Sequence, residues 1–291
     1  MNKSVYRFLL PLLLVLLFPC SIKARQDPAA GPSAASVEMP FRLYNGFLIV
    51  VDGRIGNLNG LKFILDTGTT TSVLDTRVAD KLSLPRHPNQ VVNYGKTIGV
   101  ETATIPYVQF GPVQATNQEM FIADLAKFSD FARDADALIG TDLLQLNNIT
   151  FDYTTRKVLF SLIDRKIQDA IVRSGPICFT VDVQVQGHPV RLILDTGLEG
   201  VLLYEDRILA RVPELRMEVR IEKVTIGRRM EAKLATLPEM QLGPTRMDGR
   251  VLLMKVPPGD KIADIDGYIG IAPFNTTRIT FDFVSKMITW E

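Results

Sequence analysis

The tripeptide Asp-Thr-Gly occurs twice in the 291 residues, both times directly after the hydrophobic pair Ile-Leu. The copies are Asp66-Thr67-Gly68 and Asp195-Thr196-Gly197, whose aspartates are 195 − 66 = 129 residues apart. At ordinary residue frequencies the tripeptide is expected about 0.1 times in a chain of this length. A strand that ends in such a turn projects its carboxylate, and the glycine permits a turn that a Cβ would obstruct. The sequence therefore predicts two matched turns, each presenting one carboxylate.

Two such carboxylates have a specific chemical use if a pseudo-two-fold axis brings them together. In contact, Asp66 and Asp195 cannot both ionise without strong repulsion, so they share one proton over a broad pH range. The ionised partner then serves as general base toward a water molecule, while the protonated partner donates to a carbonyl oxygen. The pair is suited to the hydrolysis of an amide bond.

Other segments recur in the same order at nearly the same offset, which is the pattern of a tandem duplication. The matched segments are Thr97-Ile98-Gly99 with Thr225-Ile226-Gly227, Leu138-Ile139-Gly140 with Tyr268-Ile269-Gly270, and Ile149–Tyr153 with Ile279–Phe283. We predict an N-terminal lobe over residues 40–163 and a C-terminal lobe over residues 176–291. Residues 164–175 are predicted to link them.

The elements that must position these turns are mainly β-strands. Apolar and polar residues alternate with period two over Phe179–Gln186 and Leu215–Glu222, and Gly, Pro and Asn separate such runs. Helical patterns are few and short, at Thr76–Leu82, Tyr204–Arg211 and Asp164–Val172. The predicted fold class is mainly β with a few short helices.

From about Pro40 to Glu291 the chain resembles the aspartic peptidases of the pepsin and retropepsin clan. The resemblance lies in the two Asp-Thr-Gly turns and in the hydrophobic-hydrophobic-Gly segments that follow each turn by about 75 residues. It implies two homologous, closed β-barrel-like lobes related by pseudo-two-fold symmetry. Because each lobe is small, the chain resembles a fused dimer of retropepsin-like units.

The resemblance also implies a role for each motif residue. It makes Asp66 and Asp195 the catalytic pair, lets Thr67 and Thr196 cross-brace the lobes, and gives Gly68 and Gly197 the shaping of the turns. It places Gly140 and Gly270 beside those turns.

The residues after the two turns differ between the lobes. Thr69 stands where pepsin-type enzymes often have a hydroxyl that bonds the outer carboxylate oxygen, so it is a candidate for that bond or for substrate contact. The second lobe has Leu198 there, followed by Glu199. Glu199 falls where retroviral enzymes have an acidic residue that holds the substrate backbone, so a substrate-binding role is predicted for it.

A flap closing over the cleft is a further expectation from the resemblance. The segment Asn93–Gly99 fits in lobe one, with Tyr94, Gly95, Ile98 and Gly99 as candidates, and Thr225–Gly227 suggests a second flap in lobe two. An ordinary hairpin turn is an equally weighted interpretation of the first segment.

Residues 1–24 have the form of an export signal, because Lys3 and Arg7 precede the apolar run Phe8–Phe18 and Ala24 offers a cleavage point. Residues 25–39 are predicted to be a flexible tether. We therefore expect a periplasmic or secreted protein. Lipid anchoring at Cys20 is the less favoured alternative, because Pro19 stands where that processing uses Gly, Ala or Ser.

Composition excludes several function classes. A formal charge of +1 gives no electrostatic reason to expect nucleic acid as partner. The only histidines are the isolated His87 and His188, so no metal site, Ser-His-Asp triad or cofactor is expected. The predicted partner is a peptide or protein substrate of a monomeric enzyme. An inactive peptide-binding or assembly module on the same scaffold is the alternative, and a glycosidase is a more distant one, since Trp290 is the sole tryptophan available for sugar stacking.

Overall fold

A computed structural model describes residues 36–93, 96–127, 132–164, 166–168, 171, 177–213, 215–225, 228–242, 245–255 and 264–291. Within these residues the chain is mainly β, as predicted, and the helices are short. They are α1 (Thr76–Lys81), α2 (Thr141–Leu144), α3 (Glu205–Leu209), a helical segment at 166–168, and the 3-10 turns Leu125–Lys127, Ala132–Asp134 and Ala272–Phe274.

The first lobe is built on one eight-stranded sheet with the order β2-β3-β4-β9-β5-β8-β7-β6. Strands β2–β9 run in sequence over Arg42–Tyr44, Leu48–Ile55, Leu58–Leu65, Val73–Asp75, His87–Asn93, Lys96–Phe110, Val113–Ala123 and Ala137–Ile139. Most neighbours are antiparallel, but β4 pairs with β9, and β5 with β8, in parallel. The parallel pair brings the ends of β4 and β9 to the same edge of the sheet.

The second lobe repeats this plan in a seven-stranded sheet with the order β12-β13-β18-β14-β17-β16-β15. Strands β12–β18 run over Thr180–Val185, His188–Leu194, Val201–Tyr204, Arg216–Thr225, Arg228–Leu242, Thr245–Met254 and Gly267–Ile269. Here β13 pairs in parallel with β18, and β14 with β17. The predicted duplication is therefore visible in the pairing of the strands.

Both sheets curl back on themselves, but the barrels are partial. In lobe one the ends meet where β3 pairs with β7 over Arg54 and Ile55, and in lobe two where β12 pairs with β16 over Gln184 and Val185. A closed barrel needs a continuous ladder around the ring, whereas each closure here spans two residues. The expectation of closed barrels is corrected to partial ones.

A five-stranded sheet with the order β1-β11-β10-β19-β20 joins the lobes. Its strands are β1 (Ser36–Pro40), β10 (Asn147–Asp152), β11 (Lys157–Leu162), β19 (Arg278–Asp282) and β20 (Met287–Trp290). The lobes meet at β10 and β19, where Thr150 lies opposite Thr280 and their Oγ1 atoms are 2.8 Å apart. Because these threonines are equivalent in the repeat, the pseudo-two-fold axis passes between them.

Strand β1 corrects one predicted boundary. The tether was predicted to extend to residue 39, but Ser36–Pro40 pairs with Lys157–Ser161 along β11. The backbone groups of a sheet edge accept such a segment whatever its side chains, so a composition poor in apolar residues did not prevent strand formation there.

The core is continuous across the two lobes. Buried apolar side chains from both sheets and from the joining sheet form one cluster. At its centre Phe179 packs edge-on against Phe281 and Phe283, with ring centroids 5.2 and 4.9 Å away. Cys178, next to this group, is buried. None of the helices in the described part of the chain is long and apolar enough to span a membrane.

Candidate active site

The two Asp-Thr-Gly turns begin at equivalent strand ends. Asp66 follows β4 and its N–H donates to the carbonyl of Ile139, while Asp195 follows β13 and its N–H donates to the carbonyl of Ile269, both at 2.9 Å. Ile139 and Ile269 end the parallel neighbours β9 and β18. Each aspartate is therefore fixed by the strand beside its own.

Within each turn the glycine N–H holds one oxygen of its aspartate. Gly68 N donates to Asp66 Oδ1 at 2.8 Å, and Gly197 N donates to Asp195 Oδ1 at 2.7 Å. The inner oxygen of each carboxyl group is thus oriented by backbone that the turn itself supplies.

The same glycines let the two carboxyl groups meet. A Cβ on Gly68 would overlap the carboxyl group of Asp195, and one on Gly197 would lie 2.8 Å from Asp66 Oδ2. Each carboxyl group packs over the turn of the other lobe, so a larger residue at either glycine would separate them. The structure brings Asp66 and Asp195 together, as the repeat predicted.

The two threonines of the turns connect the lobes by four hydrogen bonds. The hydroxyl of Thr67 donates to the carbonyl of Leu194 at 2.9 Å and accepts from the N–H of Thr196 at 3.1 Å. The hydroxyl of Thr196 donates to the carbonyl of Leu65 at 2.8 Å and accepts from the N–H of Thr67 at 3.0 Å. All four bonds are buried, so this cross-brace fixes the turns relative to each other.

The environment of the pair opposes ionisation. Both aspartates are 0% exposed, and burial raises the pKa of Asp66 from 3.8 to about 6, although the backbone N–H groups of Gly68 and Thr69 oppose the shift. Burial, and then the negative charge of Asp66, raises the pKa of Asp195 well above its ordinary value.

The outer oxygens of the pair lack a protein donor. Among the described residues, neither Asp66 Oδ2 nor Asp195 Oδ2 has a hydrogen-bond partner, although the two carboxyl groups adjoin, since a Cβ on Gly197 would lie 2.8 Å from Asp66 Oδ2 and 3.1 Å from Asp195 Oδ1. Two acceptors placed in this way need a proton between them. The geometry thus favours a pair that holds one proton in common.

The hydrophobic-hydrophobic-Gly segments lie behind the turns, as the resemblance implied. A Cβ on Gly140 would lie 2.9 Å from the carbonyl oxygen of Thr69, and Thr141 N donates to that oxygen at 2.9 Å. In lobe two a Cβ on Gly270 would overlap the carbonyl oxygen of Leu198. Both glycines permit a close approach that side chains would block.

The residues that follow the turns take different positions. The hydroxyl of Thr69 donates to the carbonyl of Thr71 at 3.2 Å and its side chain is buried, so the expected bond from this hydroxyl to the outer carboxylate oxygen is replaced by a bond within the turn. Leu198 is buried in an apolar cluster. Glu199 is exposed, which leaves its carboxylate open to a ligand.

Both predicted flap segments lie in hairpins. The two hairpin connections, however, are not separated by the 129 residues that separate the two aspartates. In lobe one Asn93 pairs with Lys96, so the strands join through Tyr94 and Gly95, which lie outside the described residues. In lobe two Thr225 pairs with Arg228, 225 − 93 = 132 residues later.

The matched Thr-Ile-Gly segments therefore do not occupy equivalent places. Ile98 and Gly99 lie on the returning strand β7, opposite Val91 and Gln90, whereas Ile226 and Gly227 fall at the connection between β15 and β16 and outside the described residues. The two hairpins thus differ by a few residues in the position at which their strands connect.

One pair of residues near the site was not identified from the sequence. The carboxylate of Asp142, in α2, accepts from the N–H and the hydroxyl of Ser72, at 3.0 and 2.7 Å. Burial raises the pKa of Asp142 to about 6. Its position could have marked Asp142, because it follows Gly140 by only two residues. Lobe two has Ala272 at the equivalent place, so a search for repeated residues does not find Asp142.

In the described part of the chain, no group of three or more His, Cys, Asp or Glu side chains is arranged to hold a metal ion. The chemistry that the site itself offers is that of two adjoining carboxyl groups in a buried, braced setting.

Comparison with protein-family models agrees with the resemblance. The aspartyl protease family model matches the chain twice, over residues 51–143 and 181–272. Among solved structures, a retropepsin-like aspartic protease from Rickettsia conorii is 18% identical, with the match covering 44% of this chain and 92% of that chain at a TM-score of 0.33. Comparison with curated proteins gave no match. Because the family model covers more than half of the chain, in two copies, this protein belongs to the aspartyl protease family.

Proposed function

We propose that this chain is an aspartic endopeptidase in which Asp66 and Asp195, sharing one proton, activate the water that hydrolyses a peptide bond. The observation that carries the proposal is the pair of buried outer oxygens, Asp66 Oδ2 and Asp195 Oδ2, which have no hydrogen-bond partner among the described residues. The raised pKa values of Asp66 and Asp195 support the retention of one proton by the pair near neutral pH.

The proposed reaction uses both protonation states of the pair. The ionised carboxylate removes a proton from water while the water oxygen bonds to the carbonyl carbon of the peptide. At the same time the protonated carboxyl group donates its proton to the carbonyl oxygen. The tetrahedral diol then returns a proton to the carboxylate as its carbonyl re-forms. As the C–N bond breaks, the departing nitrogen takes the proton that the other carboxyl group received from water. The pair is again left with one proton.

The cross-brace supports this proposal because general acid and base must keep a fixed geometry. Thr67 and Thr196 hold the two turns through bonds that involve backbone of both lobes. A pair positioned in advance avoids the reorganisation that would otherwise add to the barrier.

Further parts of the proposal concern substrate and setting. Glu199 is exposed two residues after Gly197, and we propose that it binds the backbone of an extended peptide. We propose that the hairpins β6–β7 and β15–β16 act as flaps, and that the enzyme is an active monomer because one chain supplies both aspartates. From the sequence of residues 1–24 we propose export to the periplasm or the exterior.

The test is cleavage of a mixed peptide library by the chain from Gln26 onward, across pH 3 to 8. Asp66→Asn and Asp195→Asn are each expected to lower kcat/KM at least about 10³-fold, because each removes one half of a proton-sharing unit. A statine-type transition-state mimic is expected to inhibit. Asp52→Asn, at an aspartate with 59% side-chain exposure, is the matched control and should cleave normally.

The proposal fails if the folded wild-type chain cleaves nothing at any pH and the mimic does not bind. That result would favour the peptide-binding module, for which the buried Leu198 beside the second turn is the supporting observation. Cleavage that survived either aspartate substitution would also contradict the shared-proton mechanism.

A further inference from the structure

Asp142 lies at the centre of a set of neutral donors. Its Oδ1 accepts from the hydroxyl of Ser72 at 2.7 Å and from the N–H of Leu143 at 3.0 Å. Its Oδ2 accepts from the N–H of Ser72 at 3.0 Å and from the side-chain amide of Gln118 at 3.2 Å. Four N–H and O–H groups therefore converge on the two oxygens, an arrangement that only an acceptor at both positions satisfies fully.

The contact with Ser72 extends to the catalytic turn. Gly140 N donates to the hydroxyl oxygen of Ser72 at 3.0 Å. Because that oxygen accepts from Gly140, its own proton is directed to Asp142. Thr141, which follows Gly140 directly, donates its N–H to the carbonyl oxygen of Thr69, three residues after Asp66, at 2.9 Å. A continuous bonded path thus runs from Asp142 through Ser72 and Gly140 to the turn that presents Asp66.

Lobe two builds the same turn without this path. The positions equivalent to Ser72 and Asp142 hold Val201 and Ala272, and Gly270 N donates to the backbone carbonyl of Gly200 at 2.7 Å. The fold of a lobe therefore does not require the Ser72–Asp142 pair. Its presence on one side only points to a function that the scaffold alone does not explain.

We propose that Asp142 is a positioning residue that acts through Ser72 and Gly140 to fix the turn carrying Asp66. This inference rests on the proposed peptidase activity for its catalytic consequence. Asp142 itself lies behind the turn, so it contacts neither the water nor the peptide.

Asp142→Asn is the direct test because it keeps the size of the side chain. Whichever way the new amide is turned, its NH2 group faces donors, either the Ser72 hydroxyl and Leu143 N–H or the Ser72 N–H and the Gln118 amide. We expect kcat to fall about 10- to 100-fold with KM within about 2-fold of the wild-type value, because a small displacement of a catalytic group lowers the rate of the chemical step.

Variants of Ser72 separate this role from a merely structural one. Ser72→Ala removes the link and should lower kcat as Asp142→Asn does, and the double variant should be little worse than either single one because both break the same path. Ser72→Thr keeps a hydroxyl and should retain kcat within about 3-fold.

The matched control is Asp152→Asn. Asp152 is also a buried aspartate that accepts from a neighbouring N–H, that of Thr155 at 2.8 Å. Its other partner is Arg278, whose Nη2 donates to Asp152 Oδ2 at 2.7 Å. Both partners lie in or beside the sheet that joins the lobes, away from the two turns, so kcat should not change. All rates are measured where urea titration shows each variant to be folded.

Hydrogen exchange of the Ser72 and Gly140 amides tests the path without turnover. Faster exchange of both in Asp142→Asn, with other sheet amides unchanged, is expected. If the wild type cleaves no peptide, the proposed function fails while this exchange result still tests the path. If the wild type cleaves and Asp142→Asn matches it in kcat, or if exchange at Gly140 is unchanged, the positioning role is overturned and the peptidase proposal stands.

Discussion

The two lobes present the same carboxylate turn but support it with different chemistry. In lobe one the backing Gly140 N–H is bonded by a side chain, Ser72, which Asp142 holds in place. In lobe two Gly270 N–H is bonded by the backbone carbonyl of Gly200. The glycine that follows β9 or β18 and the threonine cross-brace occur in both lobes, so we infer that the turn requires them. The side-chain support is where the lobes have diverged.

A second position shows the same contrast at the start of the short helices. Asp75 precedes α1 and its buried carboxylate accepts from Arg77 N at 2.8 Å and Leu125 N at 2.9 Å. Its equivalent before α3 is Tyr204, whose hydroxyl bonds that of Tyr268 at 3.1 Å. One backbone plan thus accommodates a polar cap in one lobe and an aromatic pair in the other. Fusion into one chain allows this, because each lobe can change without altering its partner.

The largest expected difference between the lobes concerns Gly140 and Gly270, the glycines that lie behind the two Asp-Thr-Gly turns. In Gly270→Ala the new Cβ would overlap the backbone oxygen of Leu198, which no rotamer change relieves. In Gly140→Ala it would lie 2.9 Å from the backbone oxygen of Thr69, a shallower overlap that still requires the backbone to shift. We expect Gly270→Ala to lower the free energy of unfolding by about 3 kcal/mol or more and Gly140→Ala by less, about 1 to 2 kcal/mol.

Thermal unfolding of the two variants checks this order, with a difference of several degrees in Tm expected for a chain of this size. Gly200→Ala serves as the control, because a Cβ there would meet no atom within 4 Å. Equal losses from Gly140→Ala and Gly270→Ala would show that the two turns are supported alike, against the contrast drawn above.

The sequence predicted the parts of the site that occur in both lobes. Asp66 and Asp195 were identified because a duplicated motif stands out at a fixed offset, and Gly140 and Gly270 because the same offset marks them. The period-two alternation predicted the strands, since each strand buries one face. A residue that both lobes need occurs twice in the sequence at the same offset, so a search for repeats finds it.

Features present in one lobe, or set by length, escaped prediction. Asp142 has no polar equivalent in lobe two, so no repeat marked it. The Thr-Ile-Gly match suggested equivalent flap positions, but strand register depends on hairpin length, which a short motif does not report. The hydroxyl of Thr69 was expected to face the carboxylate, and it bonds the carbonyl of Thr71 instead. Such choices depend on three-dimensional neighbours rather than on local sequence.

The carboxyl pair itself predicts a pH dependence of stability. Burial raises the pKa of Asp66 from 3.8 to about 6, so the folded protein holds this proton in a range where the unfolded chain has released it. Stability therefore falls as pH rises from about 4 to about 6, and the raised pKa of Asp195 extends the fall to higher pH. A shift of about two units corresponds to about 2 to 3 kcal/mol.

Asp66→Asn removes this ionisation, together with the negative charge that raises the pKa of Asp195, so its stability relative to wild type should rise with pH. Urea unfolding at pH 4, 5, 6 and 7 measures the difference, and the contribution of Asp142 cancels because both proteins retain it. The exposed Asp52→Asn provides the control. A wild type that gained stability over Asp66→Asn as pH rose would reverse the sign and contradict a raised pKa.

The smallest expected difference between the lobes concerns the cross-brace, which is symmetric. Thr67→Val leaves the carbonyl of Leu194 and the N–H of Thr196 without their partner, and Thr196→Val leaves the corresponding pair on the other side. Each variant should lose about 2 kcal/mol, because two buried backbone groups become unsatisfied. Urea unfolding should place the two losses within about 0.5 kcal/mol of each other, and Thr→Ser at either position should keep most of the stability. Unequal losses would mean that the divergence of the lobes extends into the brace, and that the two aspartates are not held alike.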